Sequence, residues 1–437
     1  MIPQVANDPW WIALLKLLFV FVVVLTWTIM TIWVERRGLG RMQNRKGPNM
    51  VGPFGLLQTF TEAFKLIFKE DFRPARTDAV VFNLAPLIAG ICAFATWSVI
   101  PFAGEVNMFG HHTYLQAADS PIGVLVIIAI SGIAIYGVVL AGWASNGAYS
   151  LLGTMRAAAQ LISYEVAMGL SLVAVFIYAG SMSTHDIVEA QGRQLNLFGW
   201  QVPGLSGWYW ALLLPSFLTY IISGFGESNR QPFDFAECET ELVSGHITDY
   251  SGFRYGSYYL AEYINLQLAS SVATTLFLGG YLAPWQGTFM NTGWWGLFWF
   301  LLKAELVVWF FIWTRGAIPR YRYDKFMDLG WKILIPGNLC WLLLIAVVRG
   351  GGGAGWFSSP IFYGVAIVIV LGLLAWAFLS GRGQPAEPEH EPAVFDAFAG
   401  GYPVPPMPGQ QIPELVGVVA GSATEPAPAR SAKEVDA

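Results

Sequence analysis

Nine apolar runs, each near the length of a helix that crosses a lipid hydrocarbon layer, dominate this 437-residue chain. They fall at about 11–33, 80–102, 121–142, 157–178, 208–225, 264–284, 294–314, 333–348 and 360–379, the eighth being the shortest. About 20 residues of helix cover a hydrocarbon core about 30 Å thick. In lipid every backbone N–H and C=O must find its partner within the protein, so a run of this kind can only be a helix. Hydrophobic residues make up 55% of the chain and charged residues only 12%, more apolar surface than a soluble domain of this size can hide. The expected fold is all-α: a polytopic membrane helix bundle, with an eight-span core and a ninth span after it. A soluble enzyme and a nucleic-acid-binding module are excluded.

The first run is too long for a signal-peptide core, and Glu35-Arg36-Arg37 follows it where a cleavage site would need small residues. Lysine and arginine orient the bundle, because positive loops stay on the cytoplasmic side. Twenty of the 24 cations fall in loops or the tail on one side, Arg193 and Arg349 on the other, and Lys16 and Lys303 within runs. This split predicts an integral membrane protein with its N-terminus outside and its C-terminus cytoplasmic; the bacterial plasma membrane (the cell inner membrane) is the expected location. The formal net charge of −5 says little about partners when the two faces differ so much. Cys92, Cys238 and Cys340 are scattered without a CxxC, so no iron–sulfur cluster or covalent haem is expected. The pair His111-His112 reads as part of a solvated external loop, and no metal is assigned to it.

Residues 1–380 form the expected bundle, with cytoplasmic loops at 34–79, 226–263 and 315–332; residues 381–437 are a proline-rich tail expected to be disordered and cytoplasmic. Between Phe54 and Lys69 apolar residues recur at helical spacing, with Glu62, Lys65 and Lys69 interleaved. That predicts an amphipathic helix lying in the interface. The match of Gly350, Gly352 and Gly355 to GxGxxG has no preceding strand and sits in an external loop, so it carries no nucleotide.

Chemistry concentrates between the fifth and sixth runs. Residues 226–263 set Glu227, Asp234, Glu237, Glu239, Glu241, Asp249 and Glu262 against only Arg230 and Arg254. Carboxylates crowded at a low-dielectric boundary repel one another and lose hydration, which equips them to hold and release protons. Glu165, after Tyr164 in mid-span, must face the bundle interior, because a carboxylate there costs about 2.5–3.5 kcal/mol on insertion scales. Lys303 and Glu305 share the seventh run but are two residues apart, so they point to different faces and need different partners.

Several segments then become specific: Glu35-Arg36-Arg37, GRMQNRKGPNMVGPFGLLQ from Gly40, KLIFKE from Lys65, SYE at 163–165, ESNRQPFDFAECETELVSG from Glu227, YSG at 250–252, AEY at 261–263, FLGGY at 277–281 and PRYRYDKFMDLGWK from Pro319. In this order they closely resemble the family of the quinone-chamber membrane subunit, the H subunit, of proton-pumping NADH:quinone oxidoreductase, respiratory complex I. The resemblance covers roughly residues 11–348.

It implies a membrane subunit of a translocase, lying at the junction with a hydrophilic arm whose subunits oxidise NADH and complete the quinone site; other membrane-arm subunits and lipids are its further partners. By the same resemblance Glu165, Glu227, Glu237, Glu239, Glu241, Asp249 and Glu262 belong to the proton path or its coupling. Arg36, Arg45, Glu62, Lys65, Arg230, Phe233 and Asp234 belong to the quinone chamber. The implied cofactor is ubiquinone or menaquinone, as substrate; flavin, iron–sulfur and haem are not expected on this chain. Glu62 stands where the family commonly has Asp, and Asp249 where it commonly has Glu, each keeping the charge with its reach changed by a methylene. The third run lacks an acid that some relatives have, and the ninth run and long tail exceed the common eight-span core. Two other readings of the residues are a membrane subunit of a related energy-converting hydrogenase, which the intact RKGPNMVGPFGLLQ and RQPFDF segments disfavour, and a secondary proton or ion transporter, for which repeated halves are missing.

Overall fold

The computed structural model describes residues 8–197, 200–235, 242–285, 289–352 and 372. Glu237, Glu239, Glu241, the tail at 381–437 and all of the ninth run except residue 372 lie outside the described residues.

Among the described residues six helices are long and apolar enough to cross a membrane: Trp10–Met42, Ala79–Val99, Gly123–Ser145, Ala148–Ala179, Trp295–Ala317 and Tyr323–Arg349. In chain order the elements begin with α1 (Trp10–Met42), the surface helix α2 (Gln58–Phe68) and α3 (Ala79–Ala95). A hairpin of β1 (Ala103–Met108) and β2 (His111–Leu115) precedes α4 (Gly123–Ser145) and α5 (Ala148–Ala179). After the short α6 (Thr184–Gln191), β3 (Gln194–Leu197) and β4 (Trp200–Ser206) form a second hairpin. The chain continues through α7 (Tyr209–Leu212), α8 (Leu214–Glu227), α9 (Gly252–Phe277), α10 (Trp295–Ala317), α11 (Tyr323–Asp328), a π-helical turn (Leu329–Leu334) and α12 (Ile335–Gly352). The fold is mostly helical, as the apolar runs predict.

Burial along α1 explains its register. Ile12, Lys16, Val20, Val24, Trp27, Thr28, Thr31 and Glu35 recur every three or four residues and are buried, while Leu14, Leu17, Leu18, Phe21 and Val22 are exposed and apolar. One stripe therefore packs on protein and the other suits lipid. The helix α9 is different. Every residue from Leu266 to Phe277 is buried, and the helix packs against α1, α3, α8 and α10. Enclosure by protein lets it carry Asn265, Gln267, Ser270, Ser271, Thr274 and Thr275 that a lipid-facing helix would not tolerate. Gln267 donates to Thr31 Oγ1 (2.9 Å) and accepts from Thr28 Oγ1 (3.0 Å), clamping α9 to α1.

The structure redraws three expectations. The helix expected at 264–284 begins twelve residues earlier, because its first turns are amphipathic and pack against α2, and it ends before Gly279 and Gly280, whose positive φ angles (73° and 50°) end the helical path. The run at 208–225 splits into α7 and α8, with Pro215 in the first turn of α8. The loop carrying His111-His112 forms an antiparallel hairpin, closed by Phe109 and Gly110 with φ of 52° and 88°.

The loops sort to two ends. At one, Trp33 donates to the Phe54 carbonyl, Tyr321 N–H donates to the Pro232 carbonyl, and Asp71 pairs with Arg254 at 3.3 Å. At the other, Lys16 bonds Asp8 and donates to Thr113 at 2.6 Å, and Thr184 donates to the Val99 carbonyl at 2.8 Å. Lys303 and Glu305 do face apart: Lys303 Nζ caps the Leu278 and Leu282 carbonyls (2.7 and 2.9 Å), and Glu305 Oε2 accepts from Trp27 Nε1 at 2.6 Å.

Candidate functional site: a buried charge cluster joined to an internal cavity

The segment Glu227 to Phe235 leaves α8 and turns back into the bundle. Gln160, fully buried on α5, holds that turn by donating to the carbonyls of Gly226 (2.7 Å) and Phe233 (3.0 Å) and to Asn229 Oδ1 (3.1 Å). Phe233 and Phe235 insert against Phe326, with ring centroids 4.6 and 4.9 Å away, and Tyr164 stacks on the same ring at 4.1 Å. The Tyr164 hydroxyl donates to the Phe326 carbonyl at 2.9 Å. Phe233, expected in the quinone chamber, is thus a packed core residue, and Asp234 follows it in the same turn.

That anchor places Arg230 under α1. Its Nη1 donates to Glu35 Oε1 at 3.0 Å, its Nε lies 3.1 Å from Glu262 Oε1, and its guanidinium sits over the Tyr263 ring, 4.2 Å from the centroid. Arg315 reaches the same Glu35 oxygen from α10. Two carboxylates thus meet two guanidiniums, and the Arg230 and Glu35 side chains keep only 6% and 3% of their exposure. Burial works against the Arg230 charge, but the facing Glu35, Tyr263 and Glu262 overcome it and hold its pKa well above the ordinary value. One residue along α1, Arg36 pairs with Glu62 of α2. Lys65 is exposed on α2, beside Phe60, Phe64 and Phe68, which are exposed too; Arg45, also exposed, donates to Gln43 Oε1 at 2.7 Å.

On the other side of Glu262 lies a cavity of about 80 Å³. Glu165, Glu227 and Glu262 line it, from α5, α8 and α9, together with His246, Ser131, Asn229 and Asn265. Its volume leaves room for a few waters, and its wall carries polar groups able to bond them. Gly132 makes the room for Glu165: a Cβ there would sit 3.2 Å from Glu165 Oε1. A smaller pocket of about 20 Å³ shares Glu227, Ser131 and Leu268 with the first and is otherwise walled mostly by apolar side chains of α4, α5 and α9. Burial pushes His246 down to about 4, so its ring is neutral near pH 7.

Of the seven acids singled out in the sequence, the structure brings Glu165, Glu227 and Glu262 onto one cavity. Asp249 is elsewhere, with Oδ2 3.2 Å from where a Cβ on Gly147 would lie, at the N-terminus of α5, where a negative charge complements the helix dipole. Among the chamber candidates, Arg36 and Glu62 are paired at the surface, and Arg230 is central to the buried cluster. Sequence reasoning missed Glu35, Arg315, Gln160 and His246 as site residues. A lone acid at the end of an apolar run, directly before two arginines, was the available signal for Glu35; the other three had none.

A family model described as NADH dehydrogenase matches residues 15–346. The NADH-quinone oxidoreductase H subunit of Cutibacterium acnes is 56% identical over 419 residues, covering 95% of this chain and 95% of the relative. The protein of the same name from Streptomyces avermitilis is 45% identical over 420 residues, covering 94% of this chain and 90% of its own length. Matched nearly end to end by relatives at this level of identity, the chain belongs to the NADH dehydrogenase family, as a homologue of the NADH-quinone oxidoreductase H subunit.

Proposed function

We propose that this chain is the membrane subunit of an NADH:quinone oxidoreductase that walls part of the quinone chamber and couples quinone reduction to proton translocation. The observation that carries the reading is the convergence of Glu165, Glu227 and Glu262 on one polar cavity, tied through Arg230 to Glu35 and so to the surface helix that Arg36 and Glu62 hold in place. Reducing a quinone beside the loop at 226–263 creates negative charge and a demand for protons. Both act on the acids of that loop and, through Glu262, on the cavity. In this reading Arg36, Arg45, Glu62 and Lys65 border the approach of the quinone, with Phe60 and Phe64 of α2 offering its tail an apolar surface. Arg230, Phe233 and Asp234 support that wall from behind. Glu237, Glu239, Glu241 and Asp249 act as coupling residues. The quinone is ubiquinone or menaquinone, the membrane is the bacterial plasma membrane, and the loop-rich end is cytoplasmic. Hydrophilic-arm subunits complete the headgroup site, and neighbouring membrane-arm subunits receive the protons.

Moving one charge against 100 mV costs about 2.3 kcal/mol, so the work is shared among several groups. The test is Glu165→Gln and Glu227→Gln in the assembled complex in sealed vesicles, following NADH-driven quinone reduction and acidification together. The expected result is loss of both by at least about tenfold, since each variant removes a proton-binding step. Unchanged rates with unchanged acidification would remove these acids from the path.

A further inference from the structure

Within the cavity the glutamates have the resemblance and their chemistry to account for them; His246 has neither. It lies in a single 3₁₀ turn, Gly245–Ile247, between the acidic stretch of the loop and α9. The turn is pressed so tightly on α5 that a Cβ on Gly153 would fall 2.5 Å from the Gly245 Cα and 3.3 Å from the His246 nitrogen. The ring is 6% exposed, stands edge-on to Tyr258 with centroids 5.5 Å apart, and lines the cavity with Glu165, Glu227 and Glu262. Its Nδ1 has no hydrogen-bond partner among the described residues. A histidine retained merely to fill space would be replaceable by an apolar side chain without leaving a buried polar atom unsatisfied, which costs free energy wherever it stands.

We propose that His246 is a proton-relay residue at the loop side of the cavity, passing protons between the acidic loop and the carboxylates of Glu227 and Glu262. The inference rests on the proposed function, because a relay needs a path to serve. The step balances simply. A proton binds one nitrogen of the neutral ring, the other nitrogen releases its own proton to the cavity, and a carboxylate there becomes a carboxylic acid while the imidazole returns to neutral. Imidazole is the side chain suited to this, since its two nitrogens accept and donate on opposite edges near neutral pH. The ionisable groups that line the cavity with the ring are Glu165 from α5, Glu227 from α8, Tyr258 and Glu262 from α9, and Cys92 from α3; among the described residues α4 adds only the hydroxyl of Ser131. At pH 7 a ring with a pKa of about 4 is protonated about one part in a thousand of the time, so it transmits protons without trapping charge.

The experiment compares His246→Gln with wild type and with Glu227→Gln, each in the assembled complex in sealed vesicles. Quinone reduction, acidification and the solvent deuterium isotope effect on turnover are measured at pH 7. Glutamine keeps polar ends at similar reach but cannot carry a proton through. The relay predicts that His246→Gln assembles, slows turnover and acidification about ten- to a hundredfold, and raises the isotope effect, because proton delivery becomes limiting. His246→Glu, which restores an ionisable group, recovers part of the rate. If His246→Gln keeps wild-type rates and isotope effect while Glu227→Gln is impaired, the relay is overturned and the function stands. If both keep wild-type behaviour, the function reading falls with it. A His246→Gln protein that fails to assemble also counts against the relay, since it marks the ring as a structural support.

Discussion

Removing either partner of the Arg230–Glu35 pair should destabilise the protein far more than removing the Arg315 contact, and removing both should do less harm than the two single changes predict. Arg230 and Glu35 are 6% and 3% exposed with N to O at 3.0 Å, whereas the Arg315 side chain is 34% exposed. Breaking a buried pair from one side leaves an uncompensated charge in low dielectric and costs about 3–5 kcal/mol. A partly exposed partner is screened by solvent, so Arg315→Ala should cost about 1 kcal/mol. With Glu35 and Arg230 both replaced, as Glu35→Gln with Arg230→Met, the cluster retains Glu262 and Arg315 and stays neutral. The combined cost should fall below the sum of the single costs by about 2 kcal/mol. Unfolding of the purified chain in mixed detergent micelles, followed by tryptophan fluorescence, measures all four proteins. Additivity of the two single changes to within about 0.5 kcal/mol would refute the idea that these two charges depend on each other.

The buried imidazole makes stability depend on pH. Because the folded pKa of His246 is about 4 and the ordinary value is 6.5, the unfolded chain takes up a proton that the folded chain refuses; the contribution is fully present above about pH 6.5 and is lost as pH falls toward 4. The difference, 6.5 minus 4, corresponds to about 3 kcal/mol; the unfolding curve of His246→Gln should lack that part of the slope, and an unchanged slope would contradict it. Gln160→Leu leaves the Gly226 and Phe233 carbonyls and Asn229 Oδ1 without their shared donor, so it should cost about 2 kcal/mol or more in the same unfolding assay. Gly132→Ala should leave stability level or raise it by up to about 1 kcal/mol through helix propensity. Its new Cβ nonetheless crowds Glu165 Oε1 at 3.2 Å, so proton-coupled turnover in vesicles should fall several-fold; full activity would show that the Glu165 carboxyl moves aside freely.

What the sequence made legible follows from what periodicity and solvation can report. Apolar runs mark helices that touch lipid, which is why α1, α3, α4, α5 and α10 were visible as runs. They misplace a helix wrapped in protein, since α9 is buried from Leu266 to Phe277 and has no need to be apolar along its length. Glu165, Glu227 and Glu262 stood out because an acid in or beside a span needs an explanation, and the structure supplies a common one in the cavity. Glu35 was hidden because its partners are 195 and 280 residues away in sequence, a pairing that no local pattern encodes. Gln160 was hidden for the opposite reason: a single neutral amide in a helix looks like any other until the three acceptors it serves are seen.

Among the described residues, Glu262 is the one side chain that belongs to both halves of the site. It walls the cavity it shares with Glu165 and Glu227, and it meets Arg230, whose other end holds Glu35 beside the α2 contact made by Arg36 and Glu62. A buried guanidinium cannot give up its proton, so Arg230 can respond to a new charge on one side only by shifting its attraction between the two acids it bridges. Drawing Arg230 toward Glu35 weakens its hold on Glu262, and drawing it the other way strengthens that hold. In the proposed function, a change of charge near the surface helix reaches the cavity through this one cation between two carboxylates.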